Sequence, residues 1–254
     1  MDVINETEKL IASYVGFKHC ILTNSGTASL HSIYIAYDLR NKLVMTTPYT
    51  YYSTVNMLIE EKCVPVFVDI NKDDYLLNPY LVKKEKKDLN ISAIVAVNLF
   101  GKEVDYEKLK YDDIPLIVDS CQCFKPGIKG DAVAFSFQRS KNFNCGEGGC
   151  ICTNDDEIAR KCRIIMNQGE DGKYNTVMRG FNYRISDYQA IVVANQIKYH
   201  SVGGEAELGR WSPDNGHYPR VVYEQPLYKQ LGIYKLWKKE CPVAEDLAKK
   251  VREQ

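Results

Sequence analysis

The stretch from Phe135 to Gly149 reads FSFQRSKNFNCGEGG. It contains one lysine, Lys141, between a short apolar run, Ala132 to Phe137, and a turn rich in glycine. The apolar run predicts a strand, and a strand followed by a loop is where α/β enzymes place reactive groups. A lone loop lysine is ordinarily a surface residue, so the neighbouring sequence decides whether Lys141 is a candidate for chemistry.

Two upstream features accompany this lysine. The run LIVDSCQ predicts a buried strand and carries an acid, Asp119, while Asn24 to Thr27 forms a small-residue turn before a helical pattern. A pyridoxal phosphate (PLP) site needs three parts: a lysine, an acid at a strand end and a helix N-terminus. The lysine forms a Schiff base, the acid keeps the pyridine nitrogen protonated, and the helix N-terminus holds the phosphate. Asp119 alone could also be an ordinary strand-terminal acid or a magnesium ligand.

The order of apolar and helical patterns predicts the fold class. Continuous apolar runs such as VPVFVDI (64–70), ISAIVAVNLFG (91–101) and IPLIVDSCQ (114–122) alternate with helical segments. Apolar runs of this kind are typical of parallel strands covered on both faces. We therefore expect an α/β fold whose mainly parallel sheet is sandwiched by helices, with the ligand at the carboxyl ends of the strands.

Composition limits the classes of function. With 254 residues, the chain has room for one large α/β domain and a small second one. Its 33 basic and 33 acidic residues balance, which argues against a nucleic-acid partner. No apolar run approaches the roughly 18 residues of a membrane-spanning helix, and the N-terminus lacks a signal peptide's apolar core. We expect a cytoplasmic protein without a membrane partner.

The nine cysteines do not have the spacing of a metal site. Cys121/Cys123 and Cys150/Cys152 are C-x-C pairs in strand-like runs, so each pair should point to one face. There is no C-x-x-C pair and no histidine cluster, so we predict small core residues in a reducing compartment and no metal. Cys145, in the central stretch, is the candidate for reactivity.

Several motifs together carry a resemblance to a known family. In chain order they are NSGTASL (24–30), TPYTYYSTVNML (47–58), PVFVDI (65–70), VDSCQ (118–122), FSFQRSKNFNCGEGG (135–149), GFNYRISDYQA (180–190) and HYP (217–219). The chain resembles the DegT/DnrJ/EryC1/StrS family of PLP-dependent nucleotide-sugar aminotransferases, of fold type I. Motifs that arrive in the family's order over most of the chain are far more specific than any one of them.

The resemblance implies an activity and a cofactor. Members of this family move an amino group from an amino-acid donor, glutamate, to a keto sugar linked to a nucleotide, with PLP as cofactor. Lys141 then acts as general base and acid, and Asp119 stabilises the protonated pyridine. Related dehydratases have histidine at the lysine position, so Lys141 favours an aminotransferase.

The resemblance also assigns cofactor contacts within one subunit. It implies that Gly26 and Thr27 bind the phosphate through backbone amides, and that the hydroxyl of Ser136 bonds the same group. Tyr51 matches an aromatic residue that stacks on the pyridine ring, although a tyrosine here could instead pack in the core. Gln122 matches a glutamine near the ring oxygen of the cofactor.

Three further residues have roles implied by the same resemblance. The segment around Asn182 reaches the partner subunit's active site, where a polar residue meets the phosphate. Asn182 is our first choice for that residue and Arg184 the second, so the working unit is expected to be a homodimer. His217, in HYP, is a candidate substrate contact near the sugar, or else a surface histidine.

The resemblance breaks after Ile197. We predict a large PLP-binding domain over residues 1–200 and a remnant of the family's C-terminal small domain over 201–254. The shortened part motivates a second hypothesis, a PLP-binding but catalytically reduced homologue or partner subunit. A third is a lyase that uses Cys145 as acceptor.

Overall fold

The computed structural model describes residues 2–201, 212–232 and 240–254. The chain falls into two compact units. Met1–Asp38 and Ser120–Leu208 make up the first, and Leu39–Asp119 with Gly209–Gln254 make up the second. The predicted boundary near residue 200 falls beside residues outside the described ranges, so the division into domains 1–200 and 201–254 stays a prediction.

The described residues form seven strands and nine α-helices, numbered here in chain order. The strands are β1 (His19–Thr23), β2 (Leu43–Thr46), β3 (Val64–Phe67), β4 (Ala93–Val97), β5 (Leu116–Asp119), β6 (Ala132–Ser136) and β7 (Gly149–Thr153). The helices are α1 (Val3–Val15), α2 (Gly26–Ala36), α3 (Ser53–Glu60), α4 (Pro79–Lys86), α5 (Tyr106–Leu109), α6 (Asp156–Met166), α7 (Asp187–Ser201), α8 (Pro226–Gln230) and α9 (Pro242–Glu253). In the ranges given above, no helix combines the length and the apolar character needed to cross a membrane.

The strands of the second unit are parallel. β2 pairs with β3 on one side and with β4 on the other, and β4 pairs with β5, which gives the order β5-β4-β2-β3. β4 and β5 are buried along their whole length. Strands covered on both faces are near-continuous apolar runs, as the sequence predicts. The α/β fold class with a mainly parallel sheet is confirmed.

The strands of the first unit are antiparallel. β7 lies between β1 and β6, with Cys20 opposite Cys152 in one pair and Ala134 opposite Ile151 in the other. Antiparallel neighbours need only a hairpin between them, and the β6–β7 connection is the loop that carries Lys141. This part of the sheet therefore presents the central stretch of the sequence as a hairpin tip.

Helix starts follow from local side-chain chemistry. The Ser25 hydroxyl caps α2 by accepting from Ala28 N at 3.1 Å, and serine is among the residue types favoured at this position. Asp155 caps α6 by accepting from Glu157 N and Ile158 N, so this helix begins after Asp155. A carboxylate at the N-cap satisfies free amides and complements the helix dipole.

Seven of the nine cysteines are buried, which confirms the core interpretation for most of them. Cys150 and Cys152 share a face of β7, and their sulfurs lie with that of Cys20 within 4.8 Å of one another. The prediction for Cys121 and Cys123 is wrong, because both follow the end of β5 and lie in a turn instead of a strand. The cysteines alternate with polar residues beyond the last ladder position at Asp119, and this alternation alone extends the predicted strand too far.

Candidate active site

The turn between β1 and α2 is fixed by its own hydroxyl groups. Thr23 Oγ1 donates to Ser25 O at 3.0 Å and lies 2.6 Å from Ser29 Oγ, in addition to the Ser25 cap on Ala28 N. The first amides of a helix have no partner inside the helix, and the macrodipole makes this end attractive to anions. The turn at Gly26 is thus suited to a phosphate group.

Gly26 brings the phosphate turn against the end of β6. A Cβ built on Gly26 would lie 2.9 Å from Ser136 Cβ and 2.7 Å from Cys121 Sγ. Gly149 is equally close to the turn, because a Cβ there would lie 2.5 Å from Ser25 C. Two of the predicted phosphate residues, Gly26 and Ser136, therefore lie side by side in the first unit, and both neighbouring backbones need glycine for this approach.

Thr27 and Gln122 lie near these positions in sequence. Thr27 is the second residue of α2 and is half-buried, as is Gln122 in the turn after β5. Both remain candidates for the contacts that the resemblance implies, an amide to phosphate and an amide side chain to the ring oxygen.

Lys141 lies at the tip of the hairpin between β6 and β7. Backbone bonds continue past the strands, with Phe137 N donating to Gly148 O at 2.8 Å and Arg139 N donating to Gly146 O at 2.8 Å. Lys141 N then donates to Gln138 O at 2.8 Å, and the side chain is half-buried. The lysine is therefore held by an ordered turn at the end of a buried strand.

A residue that sequence reasoning missed fixes this hairpin from outside. Gln196, on α7, accepts from Asn144 N at 2.7 Å and donates through Nε2 to Asn144 O at 2.6 Å. Asn144 Nδ2 in turn donates to Lys141 O at 3.2 Å. A glutamine in a helix pattern gives no sequence signal for this role, because its partner is 52 residues away.

The segment predicted to reach a partner subunit starts beside the phosphate turn of its own chain. Asn24 N donates to Tyr183 O at 2.8 Å, and Asn24 Nδ2 donates to Asn182 O at 3.2 Å. The side chains of Asn182 and Arg184 are exposed, and Arg184 Nη1 donates to Asn167 Oδ1 at 2.8 Å. Their contacts with a partner subunit stay a prediction.

In the second unit, Asp119 is a buried acid at a strand end. It is the last residue of β5, is 5% exposed, and its carbonyl accepts from Asn98 N at 2.9 Å. Its carboxylate accepts from Thr54 Oγ1 at 2.7 Å through Oδ2. A buried carboxylate needs hydrogen-bond donors, and Thr54 on α3 supplies one that the sequence did not reveal.

Tyr51 does not pack in the core. Its side chain is 44% exposed, and its ring lies against that of Tyr52 with centroids 4.1 Å apart. Tyr51 Oη donates to Tyr52 Oη at 2.9 Å. The alternative of core packing is therefore excluded, and the stacking of Tyr51 on a cofactor ring stays a prediction.

His217 belongs to a cluster of tyrosines in the second unit. Tyr49 Oη donates to His217 O at 2.7 Å and accepts from Tyr218 N at 2.8 Å. Burial raises the pKa of Tyr49 to about 12, so its hydroxyl stays protonated at neutral pH and can donate. The backbone of His217 is thus anchored, and its role toward a sugar stays a prediction.

Cys145 is a poor nucleophile in its surroundings. Burial, with the negative charge of Glu147, raises the pKa of the Cys145 thiol to about 11. The thiolate is the reactive form, so about one molecule in ten thousand would be ready to react at pH 7. This argues against the lyase hypothesis, which needs Cys145 as acceptor.

The residues fit PLP, a group that presents a phosphate, a ring nitrogen and a carbonyl carbon. The first unit offers helix amides at Gly26, the hydroxyl of Ser136 and the amine of Lys141. The second offers the buried carboxylate of Asp119 and the exposed ring of Tyr51. The lack of a side chain at Gly26 lets the helix start lie directly against Ser136, since a Cβ there would be 2.9 Å from Ser136 Cβ. Each unit thus offers groups that suit particular parts of the cofactor: the phosphate and the carbonyl carbon in the first, the ring nitrogen and the ring face in the second.

Comparison with curated proteins gives relatives at about 30% identity. A UDP-4-amino-4,6-dideoxy-N-acetyl-beta-L-altrosamine transaminase from Campylobacter jejuni is 32% identical over 214 residues, covering 77% of this chain and 56% of the relative. GDP-perosamine synthase from Caulobacter vibrioides is 32% identical over 245 residues, covering 88% of this chain and 62% of the relative. The chain thus spans a little more than half the length of these relatives.

Solved structures share the fold. A DegT DnrJ EryC1 StrS aminotransferase from Brucella abortus has a TM-score of 0.83 at 20% identity, over 99% of this chain and 83% of its own. The ntda protein of Bacillus subtilis, solved with bound cofactor pmp, has a TM-score of 0.82 at 20% identity, over 98% of this chain and 71% of its own. At this identity the likeness shows the fold alone.

The sequence model of one family matches residues 2–201, which is most of the chain and includes the phosphate turn, the strand-end acid and the lysine hairpin. The chain belongs to the DegT/DnrJ/EryC1/StrS aminotransferase family.

Proposed function

We propose that this protein is a PLP-dependent aminotransferase that moves an amino group from an amino-acid donor, glutamate, to a keto sugar carried on a nucleotide. The observation that carries the proposal is the family match over residues 2–201, within which Lys141 occupies an ordered hairpin tip and Asp119 a buried strand end. Relatives named as transaminases of UDP-linked and dTDP-linked sugars support a nucleotide sugar as acceptor.

PLP, when bound, supplies an electron sink that stabilises negative charge at the substrate carbon. Lys141 Nζ would hold the cofactor between turnovers. Once the donor's amino group has replaced it there, the freed amine of Lys141 would take the proton from the donor's α-carbon and later return one to the acceptor's carbon. Asp119 keeps the proton on the ring nitrogen, because a buried carboxylate favours a cation beside it.

The other predicted residues bind and orient. The amides of Gly26 and Thr27 and the hydroxyl of Ser136 hold the phosphate, while Tyr51 covers the ring and Gln122 bonds the ring oxygen. Fixed donors at the phosphate let the reacting carbon return to the same position in each half-reaction.

The working unit in this proposal is a cytoplasmic homodimer. Asn182 or Arg184 completes the phosphate site of the partner subunit, and His217 contacts the sugar. Helix α7, which follows Arg184, exposes apolar side chains, among them Tyr188 (84% exposed) and Tyr199 (63%). Large exposed apolar side chains of this kind are typical of a surface that another chain covers, which supports a dimer.

An absorbance spectrum of the PLP-loaded protein, recorded before and after addition of glutamate, tests the proposal. We expect a band at the visible edge that shifts with glutamate and returns with a keto nucleotide sugar. Lys141→Ala should lose both the band and the shift, whereas Lys125→Ala, an exposed loop lysine, should keep them.

Two other outcomes would count against the activity. A band that no amino donor shifts would favour the second hypothesis, a homologue or partner subunit that binds the cofactor without turnover. The lack of any band at saturating PLP would refute the cofactor assignment as well.

A further inference from the structure

The second unit contains a short series of hydroxyl groups that ends on Asp119. Thr54 Oγ1 donates to Asp119 Oδ2 at 2.7 Å, and Thr50 Oγ1 lies 3.0 Å from Thr54 Oγ1. All three side chains are buried, with exposed fractions of 4% for Thr50, 0% for Thr54 and 5% for Asp119. Such a series is not needed to build α3, whose helical bonds are made by the backbone.

We propose that Thr54 is a positioning residue for the transamination, because it fixes the carboxylate that holds the cofactor's ring nitrogen. This inference rests on the proposed function, since it assigns a purpose to the Asp119 contact. Thr54 itself does not meet the reacting atoms in the proposal and acts only through Asp119.

The direction of the bonds follows from the count of protons. A threonine hydroxyl has one proton and two lone pairs. The bond to a carboxylate is charge-assisted and short, so the Thr54 proton belongs to Asp119 Oδ2 rather than to Tyr51 O at 3.0 Å. Thr50 can then donate to Thr54, which leaves each hydroxyl with a defined orientation.

The same residue links two predicted cofactor residues. Thr54 lies in the first turn of α3, immediately after the segment that carries Tyr51, and its backbone N donates to Tyr51 O at 3.2 Å. A threonine side chain in a helix has two favoured χ1 rotamers, and the 2.7 Å bond to Asp119 Oδ2 favours the one that orients the carboxylate. The helix start thereby sets the carboxylate and the backbone of the aromatic residue together.

The test is the affinity for PLP of matched variants. Thr54→Val keeps the shape and removes the hydroxyl, and we expect PLP to bind roughly tenfold to a hundredfold more weakly, because a bond to a charged group is lost. Thr54→Ser restores the donor and should stay within about threefold of the unmodified protein. Thr46→Val is the control, since its buried hydroxyl donates to Val95 O at 2.9 Å and not to Asp119.

A double-mutant cycle separates positioning from packing. If Thr54 acts through Asp119, then Thr54→Val combined with Asp119→Asn should bind PLP no more weakly than Asp119→Asn alone. Urea denaturation of the cofactor-free protein should agree: the midpoint shift of the double variant should be smaller than the sum of the shifts of the two single variants. Additive effects in both measurements, or a Thr54→Val protein with unchanged PLP affinity, would overturn the proposal.

The outcomes also distinguish the two proposals. A protein that binds PLP at Lys141 but shows no coupling between Thr54 and Asp119 loses the positioning role and keeps its proposed function. An unmodified protein that binds no PLP loses both, even where the urea midpoints show that the two side chains are coupled.

Discussion

Gly26→Ala is the substitution that most directly probes the phosphate turn. The new Cβ would lie 2.7 Å from Cys121 Sγ and 2.9 Å from Ser136 Cβ. Ordinary contacts between non-bonded carbon atoms are about 3.5–4.0 Å, so both neighbours must move by up to about 1 Å. Overpacking of this size costs about 1–3 kcal/mol.

Helix propensity offsets part of this cost. Alanine is favoured over glycine in a helix by about 1 kcal/mol, and Gly26 is the first residue of α2. We therefore expect the free energy of unfolding of the cofactor-free Gly26→Ala protein to fall by about 0–2 kcal/mol. PLP should bind at least about tenfold more weakly, because the methyl group would clash with Ser136 and displace a donor to the phosphate.

Chemical denaturation without cofactor and PLP titration measure the two effects separately. Adding Cys121→Ala removes the contact at 2.7 Å, so the double variant should recover part of the lost stability. The contact with Ser136 remains, so its PLP affinity should stay low. A Gly26→Ala protein with unchanged stability and unchanged PLP affinity would refute the reasoning about this turn.

Two further predictions concern the first unit. Arg163 Nη2 bonds Glu8 Oε2 at 2.7 Å, and Glu8, 4% exposed, also accepts from Leu22 N. Arg163→Met should lower the free energy of unfolding by about 2 kcal/mol. This is less than the loss on breaking a fully buried ion pair, because Arg163 is half-exposed. Adding Glu8→Gln to Arg163→Met should recover part of the lost stability, because no unpaired charge is then buried. If urea denaturation gave the same stability for Arg163→Met and the unmodified protein, the role of this ion pair would be contradicted. The alkylation rate of Cys145 should rise with pH through about 11, since only the thiolate reacts, and Glu147→Gln should move that midpoint down. The rate is monitored by mass spectrometry of the Cys145 peptide. A midpoint near pH 9 would show that burial does not raise the pKa of this thiol.

Local chemistry is the part of the structure that the sequence predicts well. The cap at Ser25 and the position of Asp119 at the end of β5 follow from residue type and apolar pattern within a few positions. Each depends on neighbours in the chain, so periodicity and capping rules are sufficient.

The sequence does not predict contacts between polar residues that are far apart in the chain. Thr54 and Asp119 are 65 residues apart, and Gln196 and Asn144 are 52 apart. Periodicity indicates which face of an element is buried, but it does not identify which polar side chain on one element meets a given partner on another. Those pairings depend on how the elements pack, and here they fix the acid and the lysine hairpin.

The strand end at Asp119 shows a second limit. Cys121 and Cys123 alternate with Ser120 and Gln122, a pattern that predicts a longer strand. The ladder instead gives way to a turn, in which Cys123 N donates to Ser120 O at 2.9 Å. Over so few positions, alternation of polar residues and small apolar residues does not distinguish a strand from a turn.

The central claim is that Lys141 is the residue that holds the cofactor. Borohydride reduction of the PLP-loaded protein, followed by peptide mapping, tests it directly, because reduction makes the bond between the lysine and the cofactor permanent. We predict one modified peptide, with the added mass of a reduced pyridoxyl phosphate on Lys141, and no such peptide from Lys141→Ala. Modification of another lysine, or of none at saturating PLP, would contradict the account.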